Sequence, residues 1–419
     1  MLPTIATAQD KPAIVVAVPP LATPKNVTTA AGDTGLIGRY VADVITSDLR
    51  SSPELMPIGP ENARIYPYPE ATAPSFSQWR TTGAKTLVTG FVQARSDGRL
   101  TIACYVHDIP GAREIARKGF VVTPAEWRRA AHRCSDAVYT QLTGRPGSFD
   151  SQIAYVAESG TRNARVKRIS VMDSDGTSHR YLTAGEATVL TPRLSPDGDR
   201  LAYVSFAGGQ PQLRLVDLAS NEDRPLLPGN AMSFAPRFSA DGTRILFAMS
   251  AGGNTDVYVA NADGSALQRL TSTPGIDTAP SFSPDGRQIV FESDRSGSEQ
   301  LYVMNADGSD QRRISFGGAR YGSPVWSPDG DRIAFTRIAG NTLSIGVISP
   351  SGTGERVLTQ GVADEGPSWA ANSRELLFQH SDPSGRTGLS VVSVDGGTPR
   401  PIATPQEGSD PEWSAGGAK

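Results

Sequence analysis

The chain has 419 residues, room for two or three domains, and a formal net charge of −3 with acidic and basic residues interspersed. That balance gives no electrostatic footprint for nucleic acid, and no apolar run reaches the ~18 residues that a bilayer-spanning helix needs. The 43 glycines and 32 prolines fall in regularly spaced turns, so the excess reads as many short strands rather than disorder.

At the start of the chain, Ala6-Thr7-Ala8 before Gln9 has the A-x-A form of a signal-peptidase site. Residues 9–143 then read as a small α/β domain. Residues 13–18 form an apolar strand. Leu36, Ile37, Tyr40, Val41, Val44, Ile45 and Leu49 recur at helical spacing. Residues 87–92, 100–106 and 119–122 read as strands, with Ser96-Asp97-Gly98 turning between two of them. A last helix starts at Thr123 as N-cap, with Pro124 at the first helical position and Glu126 at the third, and stops near Gly144. Residues 144–148 are a Pro/Gly linker. Cys104 and Cys134 are too few for a metal site, and His107, His132, His179 and His380 show no ligand spacing. Neither a metal nor a cofactor is therefore expected. The two cysteines read either as buried thiols or as a disulfide in an oxidising compartment.

Residues 149–415 carry one motif again and again: Pro, any residue, an apolar residue, Ser, Pro, Asp, Gly. It begins at Pro192, Pro236, Pro280 and Pro324, returns worn at Pro367, and half-returns at Pro411, with spacings of 44, 44, 44, 43 and 44 residues. Each period reads as four strands: Pro-x-aromatic-Ser, an apolar run such as Ile289-Val290-Phe291, a third strand such as Leu301-Tyr302-Val303, and a short fourth such as Arg313-Ile314-Ser315. Ser-Pro-Asp-Gly suits the first turn and Asp-Gly the last, since Pro fixes φ and Gly accepts a positive one. Four strands per ~40–45 residues is a propeller blade. The earliest unit, around residues 153–156, lacks its first strand, and Pro411-Glu412-Trp413-Ser414 supplies it. The fold class is therefore a small α/β domain followed by a six-bladed β-propeller closed by its own ends.

These residues resemble the TolB family of the Tol–Pal envelope system. The junction carries the resemblance: Glu126-Trp127-Arg128-Arg129-Ala130-Ala131-His132 with Ser135-Asp136, Leu142-Thr143-Gly144, then Phe149 and Ile153-Ala154-Tyr155-Val156. Residues 37–50 resemble the family's first helix and residues 411–414 its closing strand. The resemblance implies a non-enzymatic periplasmic scaffold that binds the lipoprotein Pal through its propeller, supports the outer membrane and helps it constrict at division. It also implies contact with TolA through a segment before the first strand. Only residues 9–12 stand between the cleavage motif and Ala13, so that contact is expected to be curtailed. A periplasmic setting puts the Cys104–Cys134 disulfide level with the two free thiols.

Turns between first and second strands are nearly uniform. The loops at the other mouth, residues 229–235, 274–279, 317–323, 361–366 and 406–410, differ in every repeat, and individual loops carry recognition. The expected Pal site there is Met232, Ser233, Phe234, Ile276, Asp277, Thr278, Arg320, Tyr321, Asp364 and Glu365. Such aromatic, Met and Arg anchors with flanking charges suit a protein interface. Two rival readings are an enzyme and a propeller holding a small polar or sugar ligand in its channel. A propeller-capped serine hydrolase needs a Gly-x-Ser-x-Gly elbow, which this sequence lacks, and the repeated Asp-Gly pairs lack the further carboxylates of a calcium loop.

Overall fold

The computed structural model describes residues 13–161, 164–229 and 231–414. The Ala6-Thr7-Ala8 motif and residues 9–12 lie outside these. The chain divides into two compact units, one ending at Asp150 and the other beginning at Ser151. Among the described residues no helix is long and apolar enough to cross a membrane.

The first unit is built on a five-stranded sheet. Its strands are β1 (Ile14–Ala17), β2 (Leu55–Ile58), β3 (Thr86–Ala94), β4 (Leu100–Asp108) and β5 (Arg113–Val122), in the order β2-β1-β3-β4-β5. β1 runs parallel to both its neighbours, and β3, β4 and β5 form an antiparallel meander. Helix α1 (Thr34–Arg50) turns Ile37, Val41, Val44, Ile45 and Leu49 onto the sheet, with α2 (Trp127–Thr143) beside it. At the start of α2, Glu126 accepts the Thr123 backbone N–H at 2.9 Å, and Gly144 ends the helix in the left-handed region at φ 73°. This is the start and stop that the sequence spells. Cys104 on β4 and Cys134 on α2 are joined as a disulfide, which pins the helix to the sheet.

Two features of this unit depart from the sequence reading. β5 begins at Arg113 rather than near Gly119, because Arg113, Glu114, Arg117 and Lys118 hide an edge strand under charge. Such charges are how an edge is kept from pairing further. The opposite face of the sheet is covered by Tyr66 from a loop and by Ala71 and Trp79 from two four-residue helical turns, too short to show a periodicity.

The second unit is a β-propeller. Four sheets are separate four-stranded meanders, and an eight-stranded sheet joins two more meanders at one parallel pair, Leu343 with Ala363. The innermost strands are Val189–Leu194, Met232–Phe238, Asp277–Phe282, Arg320–Trp326, Ala363–Trp369 and Glu407–Trp413, each packed against the next in a closed circuit. Closure comes from opposite ends of the unit: Glu407–Trp413 pairs antiparallel with Gln152–Ser159. The Trp413 indole N–H donates to Ser151 Oγ at 2.7 Å, which locks the seam.

The motif builds each turn in the same way. In Ser283-Pro284-Asp285-Gly286, the serine hydroxyl donates to the Asp285 carboxylate at 2.6 Å, and that carboxylate accepts the Arg287 N–H at 3.1 Å. The same pair recurs as Ser195–Asp197, Ser239–Asp241 and Ser327–Asp329. At the later turns Gly264 and Gly308 sit at φ 91° and 90°, and a Cβ would meet the carbonyl oxygen of Leu226 or Leu270 at 2.0 or 2.6 Å. Glycine is needed there both for its conformation and for the close approach of the preceding repeat. Between repeats, large buried side chains such as Phe247, Phe291, Phe335 and Phe378 fill the core.

Every innermost strand also carries a bulge that the sequence does not announce. The pairing register shifts just before each motif proline. The residue before that proline has a positive φ in every repeat: Thr191, Ala235, Ala279, Ser323, Gly366 and Asp410. Five of these are not glycine, so the strain is held by the surrounding sheet.

Candidate functional site

The innermost strands run side by side, so their starting ends share one mouth of the channel, together with the loops between second and third strands. Met232, Ile276 and Arg320 are exposed at that mouth, while Phe234, Thr278 and Glu365 are half-buried. Arg320 meets Glu299 of the preceding repeat at 3.2 Å.

Ser233, Asp277, Tyr321 and Asp364 are buried and present no surface, which corrects their expected role as contacts. Each braces a loop instead. Ser233 Oγ accepts the Leu213 N–H at 3.1 Å. Asp277 pairs with Arg295 at 2.8 Å, and that guanidinium lies over Phe291 and Tyr302. The Tyr321 hydroxyl donates to Glu355 at 3.0 Å, with its ring edge-on to Phe335. Asp364 accepts the Gly361 N–H at 3.1 Å and pairs with His380 Nδ1 at 2.6 Å. A buried polar group must be satisfied, and here the satisfaction sets loop shape.

Two residues of the same mouth were not singled out from the sequence. Phe316 is 71% exposed and Val362 is 55% exposed, each in the loop leading into an innermost strand. With Met232 and Ile276 they place one exposed apolar side chain in each of four successive repeats. An apolar side chain in a variable loop was the available signal.

Below this mouth the channel wall is uneven. The bulge N–H groups of Ser323, Gly366 and Asp410 donate to Glu292, Thr336 and Gln379 of the preceding repeat, at 3.2, 3.1 and 3.3 Å. The equivalent second-strand positions in the other repeats are Val156, Val204 and Ala248. Burial pushes the Glu292 carboxyl up to about 7, with Glu299 and Asp294 adding to the rise. Burial likewise raises Glu365, and the nearby Asp410 carboxylate adds to it.

The opposite mouth, ringed by the uniform turns, reads from the sequence as serving the fold alone. The structure places a cavity of about 240 Å³ there. Phe238, Phe282, Trp326, Trp369 and Trp413 wall it, Pro196, Pro284 and Pro328 rim it, and Arg237 and Glu412 reach it from the strand interior. The residue after the motif proline takes four kinds in six copies: Arg193, Arg237, Ser281, Val325, Ser368 and Glu412. That variation inside an otherwise constant motif was the sequence signal for this cavity.

His132, Asp48 and Ser135 have the residue types of a hydrolytic triad but are buried between α1 and α2. His132 Nδ1 and the Ser135 hydroxyl both meet Asp48 Oδ2, at 2.8 and 2.6 Å. This ties the two helices together.

Residues 139–416 match the family model described as the TolB beta propeller domain, and residues 6–115 match the TolB amino-terminal domain. A Tol-Pal system protein TolB from Zymomonas mobilis subsp. mobilis is 51% identical over 205 residues, covering 49% of this chain and 45% of that protein. One from Sphingopyxis alaskensis is 49% identical over 203 residues, 48% of this chain and 45% of that protein. The matched stretch thus spans a little under half the length of these curated relatives. Among solved structures, TolB from Acinetobacter baumannii is similar at a TM-score of 0.78 and 27% identity, covering 96% of this chain and 97% of that one. A putative TolB from Agrobacterium tumefaciens shares the fold alone, at a TM-score of 0.51 and 19% identity over 62% of this chain and 90% of that one.

Proposed function

The chain belongs to the TolB family, and from that premise we propose that it is a non-enzymatic periplasmic scaffold of the Tol–Pal system that binds the lipoprotein Pal at the loop mouth of its propeller. In this reading the propeller has six blades, the eight-stranded sheet counting as two divided at its parallel pair. The scaffold supports outer-membrane integrity and constriction at division.

The observation that carries the reading is the row of exposed apolar side chains at one mouth, Met232, Ile276, Phe316 and Val362. Apolar side chains clustered on a surface, with a flanking Arg320–Glu299 pair, mark a place where a protein docks. Phe316 also lies under the Arg313 guanidinium at 5.3 Å, an aromatic–arginine anchor of the kind that dominates interface energetics. The buried Asp277–Arg295, Tyr321–Glu355 and Asp364–His380 contacts pre-form the loops, which lowers the ordering cost of binding.

The test is isothermal titration of this chain with the soluble domain of Pal from the same organism. Saturable one-to-one binding that weakens at least tenfold in Phe316→Ala or Arg320→Ala is expected. No binding at high micromolar concentration, or binding indifferent to both substitutions, would overturn the assignment of partner or of face.

A further inference from the structure

Inside the propeller, the position between motif proline and the following apolar residue supplies a side-chain acceptor to the next repeat in three of six copies. Ser281 Oγ accepts the Trp326 N–H at 3.3 Å, Ser368 Oγ accepts the Trp413 N–H at 2.9 Å, and Glu412 Oε2 accepts the Leu194 N–H at 2.5 Å. In two adjacent repeats the position is arginine, which has five donors and no acceptor.

Both guanidiniums act electrostatically on one carboxylate, Glu412, and Arg237 also pairs with it. Arg237 Nη1 lies 3.5 Å from Glu412 Oε1, a single long contact rather than a bidentate pair. Arg193 Nη1 is spent on the Pro192 carbonyl at 2.7 Å, and its Nε is buried with no hydrogen-bond partner. Arg237 is itself largely buried, its side chain 17% exposed. Burial first, and then the Arg193 charge, lower its pKa to about 9. Two cations facing one anion leave an uncompensated positive charge in a low-dielectric enclosure, which is costly unless an anion enters. The enclosure opens into the cavity of about 240 Å³, whose other walls are aromatic. That volume lies just below the ~300–1,000 Å³ of small-molecule pockets, so it excludes a folded partner and suits a compact ligand.

We propose that this cavity, at the mouth opposite the loop face, is a binding site for a small organic carboxylate. The anionic group meets Arg237, with the Arg193 charge behind it and outside the cavity lining, and the apolar body lies against Phe282, Trp326 and Trp369. A guanidinium offers a carboxylate two parallel N–H donors, which Glu412 at its single long contact does not exhaust. Asp410 and Glu365 lie outside the cavity lining, further along the channel, and so do not cancel the charge at this end.

The site can be tested on the full chain by titrating benzoate and following both heat and tryptophan fluorescence. Benzamide serves as the neutral isostere and inorganic phosphate as the anion without an apolar body. Benzoate is expected to bind saturably, benzamide at least tenfold more weakly, and phosphate more weakly than benzoate. Arg237→Met should cost at least tenfold. That variant removes the ion-pair partner of buried Glu412 and could fail to fold, so Glu412→Gln is the second arm: removing the competing carboxylate should tighten benzoate several-fold, a gain that misfolding does not produce. Absence of saturable benzoate binding, equal binding of benzamide, or weaker binding in Glu412→Gln would overturn the proposal. Phosphate binding as tightly as benzoate would overturn its assignment to an organic carboxylate.

Discussion

The two mouths of the propeller are made from the same repeat and differ in what the repeat leaves constant. At one, Ser-Pro-Asp-Gly recurs with the same Ser–Asp hydrogen bond, because each copy solves the same turning problem. At the other, loops of different composition enter the innermost strands, and their buried contacts differ from repeat to repeat: Asp277 with Arg295, Tyr321 with Glu355, Asp364 with His380. Repetition therefore marks where the fold is built, and variation marks where a partner can be told apart. The cavity refines this lesson, since it sits at the uniform mouth and combines constant motif residues with Arg237, Ser281, Val325, Ser368 and Glu412 from the position after the proline.

If the uniform mouth carries the fold, breaking it should cost stability. Trp413→Ala removes a buried indole at the closing seam together with its bond to Ser151. A loss of about 3–5 kcal/mol is expected, read by denaturant unfolding, and a loss under ~1 kcal/mol would mean that the ring does not depend on this strand. If the loop mouth carries recognition, Phe316→Ala should instead cost about 2 kcal/mol of Pal affinity by titration and leave the unfolding midpoint unchanged. Tyr321→Phe sharpens the distinction within one loop. It deletes a hydroxyl that braces rather than contacts, so about 1 kcal/mol of stability should go while affinity changes less than threefold.

A pH dependence beneath the loop mouth tests the comparison in a second way. Burial holds the folded Glu292 carboxyl near 7 against an ordinary 4.5. A raised folded value means that the stability linked to this group is full below about 4.5 and is lost as pH climbs through 7. Glu292→Gln keeps an acceptor for the Ser323 N–H and cannot ionise. It should match the parent at pH 4.5 and exceed it by about 1 kcal/mol at pH 8, as unfolding curves at the two pH values would reveal. Equal pH profiles would place Glu292 in solvent.

Much of the fold is legible because its signals are local. The 44-residue spacing, the Thr123–Glu126 helix start and the strand completed by Trp413 each follow from a few neighbouring residues. What escapes the sequence is set by tertiary context. The bulges place Thr191, Ala235, Ala279, Ser323 and Asp410 at positive φ, where nothing in those side chains asks for it. β5 is masked by its edge charges. At the loop mouth the loops were readable but not the direction of each side chain: Tyr321, at the start of an innermost strand, turns in, and Phe316, just before that strand, turns out.

The most direct test of the central claim is amide hydrogen exchange on this chain, alone and saturated with the soluble domain of Pal. Protection should appear in residues 274–279, 316–323 and 361–366 and be absent from the Ser-Pro-Asp-Gly turns. Protection confined to those turns, or spread evenly over both mouths, would contradict the division of labour between the faces.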